Sequence, residues 1–160
     1  MSVRNVTYDD FDPVIVYSNP ADWSTHNPQD NPGWFNATSD VTGSIWHQAT
    51  YHSTEVAGTK ISFNFTGTGL YVYGGSGPEY GNYTLTIDPS IPTPFIYPGQ
   101  AYSEQNGTDR YLLYGTDGLA YAEHEVVIET QGGRFLLDLV EVGGLEFGAE
   151  GFVLLLRHSP

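Results

Sequence analysis

The sequence predicts an all-β chain folded as one antiparallel β-sandwich. Three observations carry that prediction. Aromatic residues make up 14% of the chain, Gly and Pro number 19 and 10, and short runs of alternating apolar side chains recur between turn residues. The Ala-, Leu-, Lys- and Glu-rich amphipathic stretches that helices need are missing, and Lys60 is the sole lysine. At 160 residues the chain has ordinary single-domain size. Residues 1–160 are therefore read as one sandwich with a long loop over 19–44 and a C-terminal tail over 145–160.

Taken in order, Val3 to Tyr8 and Val14 to Tyr17 predict two opening strands separated by the acidic turn Asp9-Asp10-Phe11-Asp12-Pro13. The polar stretch from Asn19 to Ser44 has no strand or helix period, yet it carries Trp23, Trp34 and Phe35, and disordered segments are poor in aromatics. Ile45 to Glu55 predicts a strand with Tyr51 and Ser53 on one face and Trp46 and His52 on the other. Thr59 to Thr66 alternates clearly, with Ile61, Phe63 and Phe65 inward. Leu70 to Tyr73 and Asn82 to Asp88 are further strands flanking the Gly-rich loop Gly74 to Gly81. Prolines at 89, 92, 94 and 98 predict an extended connection rather than a central strand. Arg110 to Tyr114, Glu123 to Thr130 and Phe135 to Val142 close the fold, and Phe152 to Leu156 is an apolar run that suits a sheet edge.

Five Lys plus Arg against 19 Asp plus Glu give a net charge of −14. Such a surface repels a phosphate backbone and lacks the polybasic cluster that anionic membranes attract, so neither nucleic acid nor a membrane surface is an expected partner. Without cysteine there is no disulfide framework and no thiolate chemistry. Asn-X-Ser/Thr sequons begin at Asn5, Asn36, Asn64, Asn82 and Asn106, a density that points to an extracellular glycoprotein. Met1 to Asn5 holds no apolar leader, and the expectation is an ectodomain excised from a longer chain.

The segments DDFDPVIVYS, YHSTEVAGTKISFNFTGTGLYVYGGSGPEYGNYTLTIDP, LLYGTDGLAYAEHEVVIET and FLLDLVEV, in that order, resemble an extracellular domain of secreted and membrane-anchored basidiomycete fungal proteins. That domain is similar in layout to galactose-binding-like jelly rolls, a fold shared by many carbohydrate-binding modules. The resemblance implies a jelly-roll sandwich and, by analogy, a glycan ligand and a fungal cell-wall setting.

Sugar rings stack their C–H faces on aromatic planes while polar side chains meet their hydroxyls. Trp34 and Tyr80, with Glu79 beside the latter, are the leading ligand-binding candidates, Trp34 against the alternative of a loop-anchoring core residue, and Trp23 and Trp46 follow, although residues that flank strands as they do more often belong to the core. Tyr97 and Tyr102 are lesser candidates. Asp9, Asp10 and Asp12, with Asp138 or Glu141, offer hard oxygen ligands for calcium, and the resemblance implies such a structural ion; the alternative is an Asx-type turn with solvated carboxylates. No cofactor is required. His47 and His52 fall on opposite faces of the expected strand and cannot chelate one ion, and His124 suits a satisfied structural role.

No nucleophile elbow, phosphate loop, zinc-binding His-Glu motif or dinucleotide fingerprint occurs, and no pair among the 19 acids stands out as a glycosidase dyad. The expected function is non-catalytic, lectin-like carbohydrate binding. The alternatives are a structural or adhesive wall domain that binds protein or itself, and a small glycoside-active enzyme.

Overall fold

The structure is a computed structural model that describes residues 2–26, 46–105, 107 and 110–147. Eleven strands are present among them: β1 (Ser2–Asp9), β2 (Val16–Tyr17), β3 (Ser24–His26), β4 (Tyr51–Thr54), β5 (Lys60–Gly67), β6 (Gly69–Gly74), β7 (Asn82–Ile87), β8 (Phe95–Gln100), β9 (Tyr111–Thr116), β10 (Ala122–Thr130) and β11 (Phe135–Phe147). One sheet runs β3-β4-β11-β6-β9, with β1 also on β11, and the other runs β2-β5-β10-β7-β8. Every strand pair is antiparallel. The chain is thus the all-β antiparallel sandwich that its composition predicts.

Alternation fixes which side chains enter the core. Ile61, Phe63 and Phe65 of β5 sit opposite Ile128, Val126 and His124 of β10, all buried on one face, and Tyr83, Leu85 and Ile87 continue that layer. Leu70, Val72, Phe135, Leu137, Val140 and Val142 supply the facing layer. Burial of side chains this size stabilises by roughly 1.5–3 kcal/mol each before chain entropy is counted. His124 is satisfied at this interface, with Nδ1 2.7 Å from Asp88 Oδ2 and Nε2 2.7 Å from the Ala120 carbonyl oxygen.

Four boundaries differ from expectation. The expected loop over 19–44 opens with a short 3-10 helix, Pro20–Asp22, and then β3. Of the expected strand Ile45 to Glu55, Ile45 lies outside the described residues, His47–Ala49 form a 3-10 turn in which Gln48 takes a left-handed conformation (φ 54, ψ 21), and the strand starts at Tyr51. Pro98 does not prevent β8: this is an edge strand, where a missing backbone donor costs no ladder bond. Finally, β11 runs to Phe147, past the expected start of the tail. It pairs with β4 through Phe135–Leu137 and with β1 through Leu139–Phe147, and its register against β6 shifts at Asp138. Phe152 to Leu156 lies outside the described residues.

The Gly-rich loop ends at Gly81, whose Cα faces the β10–β11 turn. A Cβ there would overlap the Gly132 carbonyl oxygen, while the Gly81 N–H donates to the Arg134 carbonyl oxygen at 3.2 Å. Gly81→Ala is therefore expected to lower unfolding free energy by about 2 kcal/mol or more, read by urea denaturation, since backbone cannot yield as a side-chain tip can. A loss below about 0.5 kcal/mol would show that this loop and turn do not pack as described.

Candidate functional site

Two open grooves and one buried polar network stand out at the surface and edge of the sandwich. The first groove, about 550 Å3, lies where β8 ends and the chain crosses to β9. Its walls are Tyr83, Tyr97, Tyr102 and Tyr111, with Asn82, Gln100 and Gln131 among them. The local chain explains the arrangement. Gly99 stands opposite Tyr83 across the ladder, and a Cβ there would run into the Tyr83 ring, so glycine lets that ring lie over the strand. Tyr97 packs on Tyr83 and on Tyr114 of the other sheet, at centroid distances of 6.5 and 5.1 Å. Tyr111 donates its hydroxyl proton to the Gln100 carbonyl oxygen at 3.1 Å, which fixes its ring beside the strand end. Tyr102 is 58% exposed and Tyr111 37% exposed. The result is two accessible aromatic planes beside three side-chain amides, backed by two packed tyrosines. Among the described residues, no carboxylate or imidazole lines it.

The second groove, about 460 Å3, lies on the β3–β4 side and is lined by Asp22, Ser24, Tyr51, Ser53, Glu55 and Arg134 among others. Ser24 and Ser53 are cross-strand partners, so their hydroxymethyl groups share one face. Arg134 holds its guanidinium 5.5 Å from the Tyr80 ring centroid. Trp46 contacts Tyr51 edge-on at 5.7 Å.

The candidates from sequence divide accordingly. Tyr80 is half-buried, packed against the core and over Gly75, and burial raises its pKa. It is a support for Arg134 and no open platform. Glu79 is exposed, and its carbonyl oxygen accepts the Arg134 N–H at 2.8 Å. Trp46 is half-buried beside the second groove. Trp23 takes the core role that its place beside a strand favours and is no ligand platform: it is 8% exposed, donates Nε1–H to the Ser18 carbonyl oxygen at 2.9 Å and meets Tyr17 edge-on. Trp34 lies outside the described residues. Tyr97 and Tyr102 were readable as lesser candidates; Tyr111 was not singled out, because a strand tyrosine in a short apolar run looks like core.

The buried network joins the end of β1 to β4 and β11. Asp10 and Asp138 are both fully buried. Asp10 Oδ2 lies 2.7 Å from His52 Nδ1, and its Oδ1 accepts the Thr50 hydroxyl at 2.6 Å. That hydroxyl has one proton and also lies 3.1 Å from Asp9 Oδ1, which in turn is 3.0 Å from His47 Nδ1. Asp138 Oδ1 accepts the His47 backbone N–H at 2.8 Å. Its Oδ2 lies 2.8 Å from Arg110 Nε, a charge contact without hydrogen-bond alignment, and is otherwise unpartnered among the described residues. Burial pushes both Asp10 and Asp138 up to about 6; for Asp10 the hydrogen bonds from His52 and Thr50 oppose the rise, and for Asp138 the His47 N–H and Arg110 do so.

The carboxylates that the sequence offers to a calcium ion are engaged within the protein. Asp9, Asp10 and Asp138 belong to one network, but imidazole, hydroxyl, amide and guanidinium groups take the positions around their oxygens. Asp12 instead caps its own turn, accepting the Val14 N–H at 2.9 Å, and Glu141 accepts from Asn5 Nδ2 at 2.7 Å. Among the described residues, no group of three or more His, Asp or Glu side chains is placed to hold a metal ion. The Asx-turn alternative describes Asp9 and Asp12, whose carboxylates accept N–H groups two residues on.

No family profile matches the chain, and no curated protein matches it in sequence. Its fold does match solved structures. A family two carbohydrate esterase from Cellvibrio japonicus superposes with a TM-score of 0.53 at 16% identity, over 99% of this chain and 37% of that one. A two-domain esterase active on acetylated mannans gives 0.58 at 12% identity, over 88% and 36%. An exo-beta-1,3-galactanase from Phanerochaete chrysosporium gives 0.50 at 13% identity, over 86% and 29%. The chain spans about a third of the length of these proteins. At such identities the likeness is one of fold. Among the described residues, no helix is long and apolar enough to cross a membrane.

Proposed function

We propose that this domain binds a glycan, without catalysis, through the tyrosine groove at the β8–β9 crossing. The observation that carries this reading is the pairing of two exposed tyrosine planes, Tyr102 and Tyr111, with the amides of Asn82, Gln100 and Gln131 in one open groove. Aromatic planes take the C–H faces of a sugar and amides both donate to and accept from its hydroxyls. Absence of a carboxylate or imidazole from the described lining favours binding over hydrolysis, which needs two carboxyl groups across the bond that breaks. Asp10 and Asp138, whose pKa values are raised, are fully buried and have no surface to offer a substrate. The fold it shares with parts of two esterases and a galactanase that act on saccharides is in keeping with a polysaccharide ligand.

On this reading the domain works outside the cell, on a fungal or similar wall. Asn5, Asn64 and Asn82, three of the sequon asparagines, are exposed, as N-glycosylation requires. The test is retention of the purified domain on insoluble β-glucan, chitin, cellulose and mannan, with released sugar assayed in the same tubes. Protein made in a bacterial host keeps Asn82, which lines the groove, unmodified. Retention on at least one polymer without release is expected. Release of sugar would make the domain an enzyme, and no retention on any of the four would overturn this reading.

An adhesive role is the second reading, favoured by the exposed Phe95, Ile96 and Leu112 on the two edge strands β8 and β9. Unpaired edges with apolar side chains invite strand addition. Concentration-dependent association in the absence of sugar would support it.

A further inference from the structure

We propose that the two grooves are one extended site that takes an internal stretch of a neutral polysaccharide chain, the groove at Arg134 being a second subsite. This rests on the tyrosine groove being a glycan site. The β10–β11 turn links them: Gln131 lines the first groove and Arg134 the second, and three residues apart their Cα atoms lie within about 11 Å. Gly132 and Gly133 both take positive φ (106 and 72), the backbone that a tight turn between Gln131 and Arg134 uses. The turn is fixed on both sides as well. The Gln131 N–H donates to the Asn82 carbonyl oxygen at 3.0 Å, and the Arg134 N–H donates to the Glu79 carbonyl oxygen at 2.8 Å.

Arg134 also has donors to offer. Lys60 lies 3.8 Å from Glu129 and Arg110 lies 2.8 Å from Asp138, whereas Arg134 rests over the Tyr80 ring with no carboxylate at ion-pair distance among the described residues. A guanidinium held beside a ring keeps its N–H groups as donors, which suits ring and hydroxyl oxygens. Ser24 and Ser53 add hydroxyls on the same face, and Glu55 adds an acceptor for sugar O–H groups. A polyanion is a poor fit, because the chain carries a net charge of −14 and Asp22 and Glu55 line this groove. Both grooves are open to solvent.

The test is affinity against length, using manno-, laminari-, cello- and chito-oligosaccharides from dimer to hexamer with wild type, Arg134→Gln and Tyr102→Ala, after thermal denaturation has shown that each variant folds. For the series that binds, wild-type affinity is expected to rise at least about tenfold from dimer to hexamer as the second subsite engages. Arg134→Gln should bind the dimer within about twofold of wild type and lose most of the gain with length. Equal hexamer binding by wild type and Arg134→Gln, or an affinity independent of length, overturns the extended site while leaving the tyrosine groove intact. Wild type binding no oligosaccharide overturns the glycan reading itself, and Tyr102→Ala binding all of them normally moves the ligand off the tyrosine groove; either outcome overturns the extended site with it.

Discussion

Unfolding free energy should rise as pH is lowered from about 6.5 to about 4, the reverse of the usual acid response. The cause is the pair of fully buried carboxyls, Asp10 and Asp138, each raised from 3.8 to about 6. A raised carboxyl holds its proton more tightly in the native chain than in the unfolded one. Between the two values the native state therefore binds more protons, and stability falls as pH rises. Two pKa units correspond to about 3 kcal/mol for one such group. Both together give less than twice that, because the charge on Asp10 is among the causes of the shift at Asp138. Relief of self-repulsion in a chain of net charge −14 acts in the same direction. Urea denaturation at half-unit steps from pH 4 to 7 measures the slope. Asp10→Asn removes one titrating group from the network and should flatten it by about half, and a stability that instead climbs with pH across this range would show that the two carboxyls are not held as described.

That network also shows why part of the molecule was legible in the sequence and part was not. Ile61-Phe63-Phe65 and Tyr83-Leu85-Ile87 alternate with polar neighbours, and period two states a strand and its inward face without help from the rest of the chain. The acidic turn was visible too, but its meaning was not. Whether Asp10 faces a cation, water or His52 depends on β4 and β11 arriving beside it, residues 42 and 128 positions away. A run of carboxylates reads as a hard-cation site until the imidazole and hydroxyl groups that meet it are in place. The same limit hid the tyrosine groove. Tyr97, Tyr102 and Tyr111 lie on an edge strand, a crossing and the next strand, and only the meeting of β8 with β9 at the sandwich edge brings them together. Proline had argued against β8, and without that strand no groove follows. Trp23 shows the opposite case: its place beside a strand favours the core over a platform, and the short strand β3 carries that stretch onto the sheet with the indole turned inward.

Replacing Tyr102 or Tyr111 by alanine should then weaken glycan binding by about 1–3 kcal/mol, roughly 5- to 150-fold, with little cost to stability. The two cases differ in an instructive way. Tyr102 is the more exposed ring and takes no part in the core cluster, so its removal deletes contact area and leaves the fold alone. Tyr111 also donates to the Gln100 carbonyl oxygen, and Tyr111→Phe separates its two contributions: the ring plane survives while the hydroxyl is lost. If stacking carries the binding, Tyr111→Phe retains most of the affinity and Tyr111→Ala does not. If the hydroxyl matters, because it fixes the ring against the strand end, the two variants fall together. Tyr97→Ala is the control for fold rather than ligand. That ring packs on Tyr83 and Tyr114 between the sheets, so its loss should lower the melting temperature as well as the affinity. Isothermal titration with the oligosaccharide series, set beside thermal melts of each variant, distinguishes these outcomes. Full binding by Tyr102→Ala and Tyr111→Ala alike would place the ligand elsewhere on the sandwich.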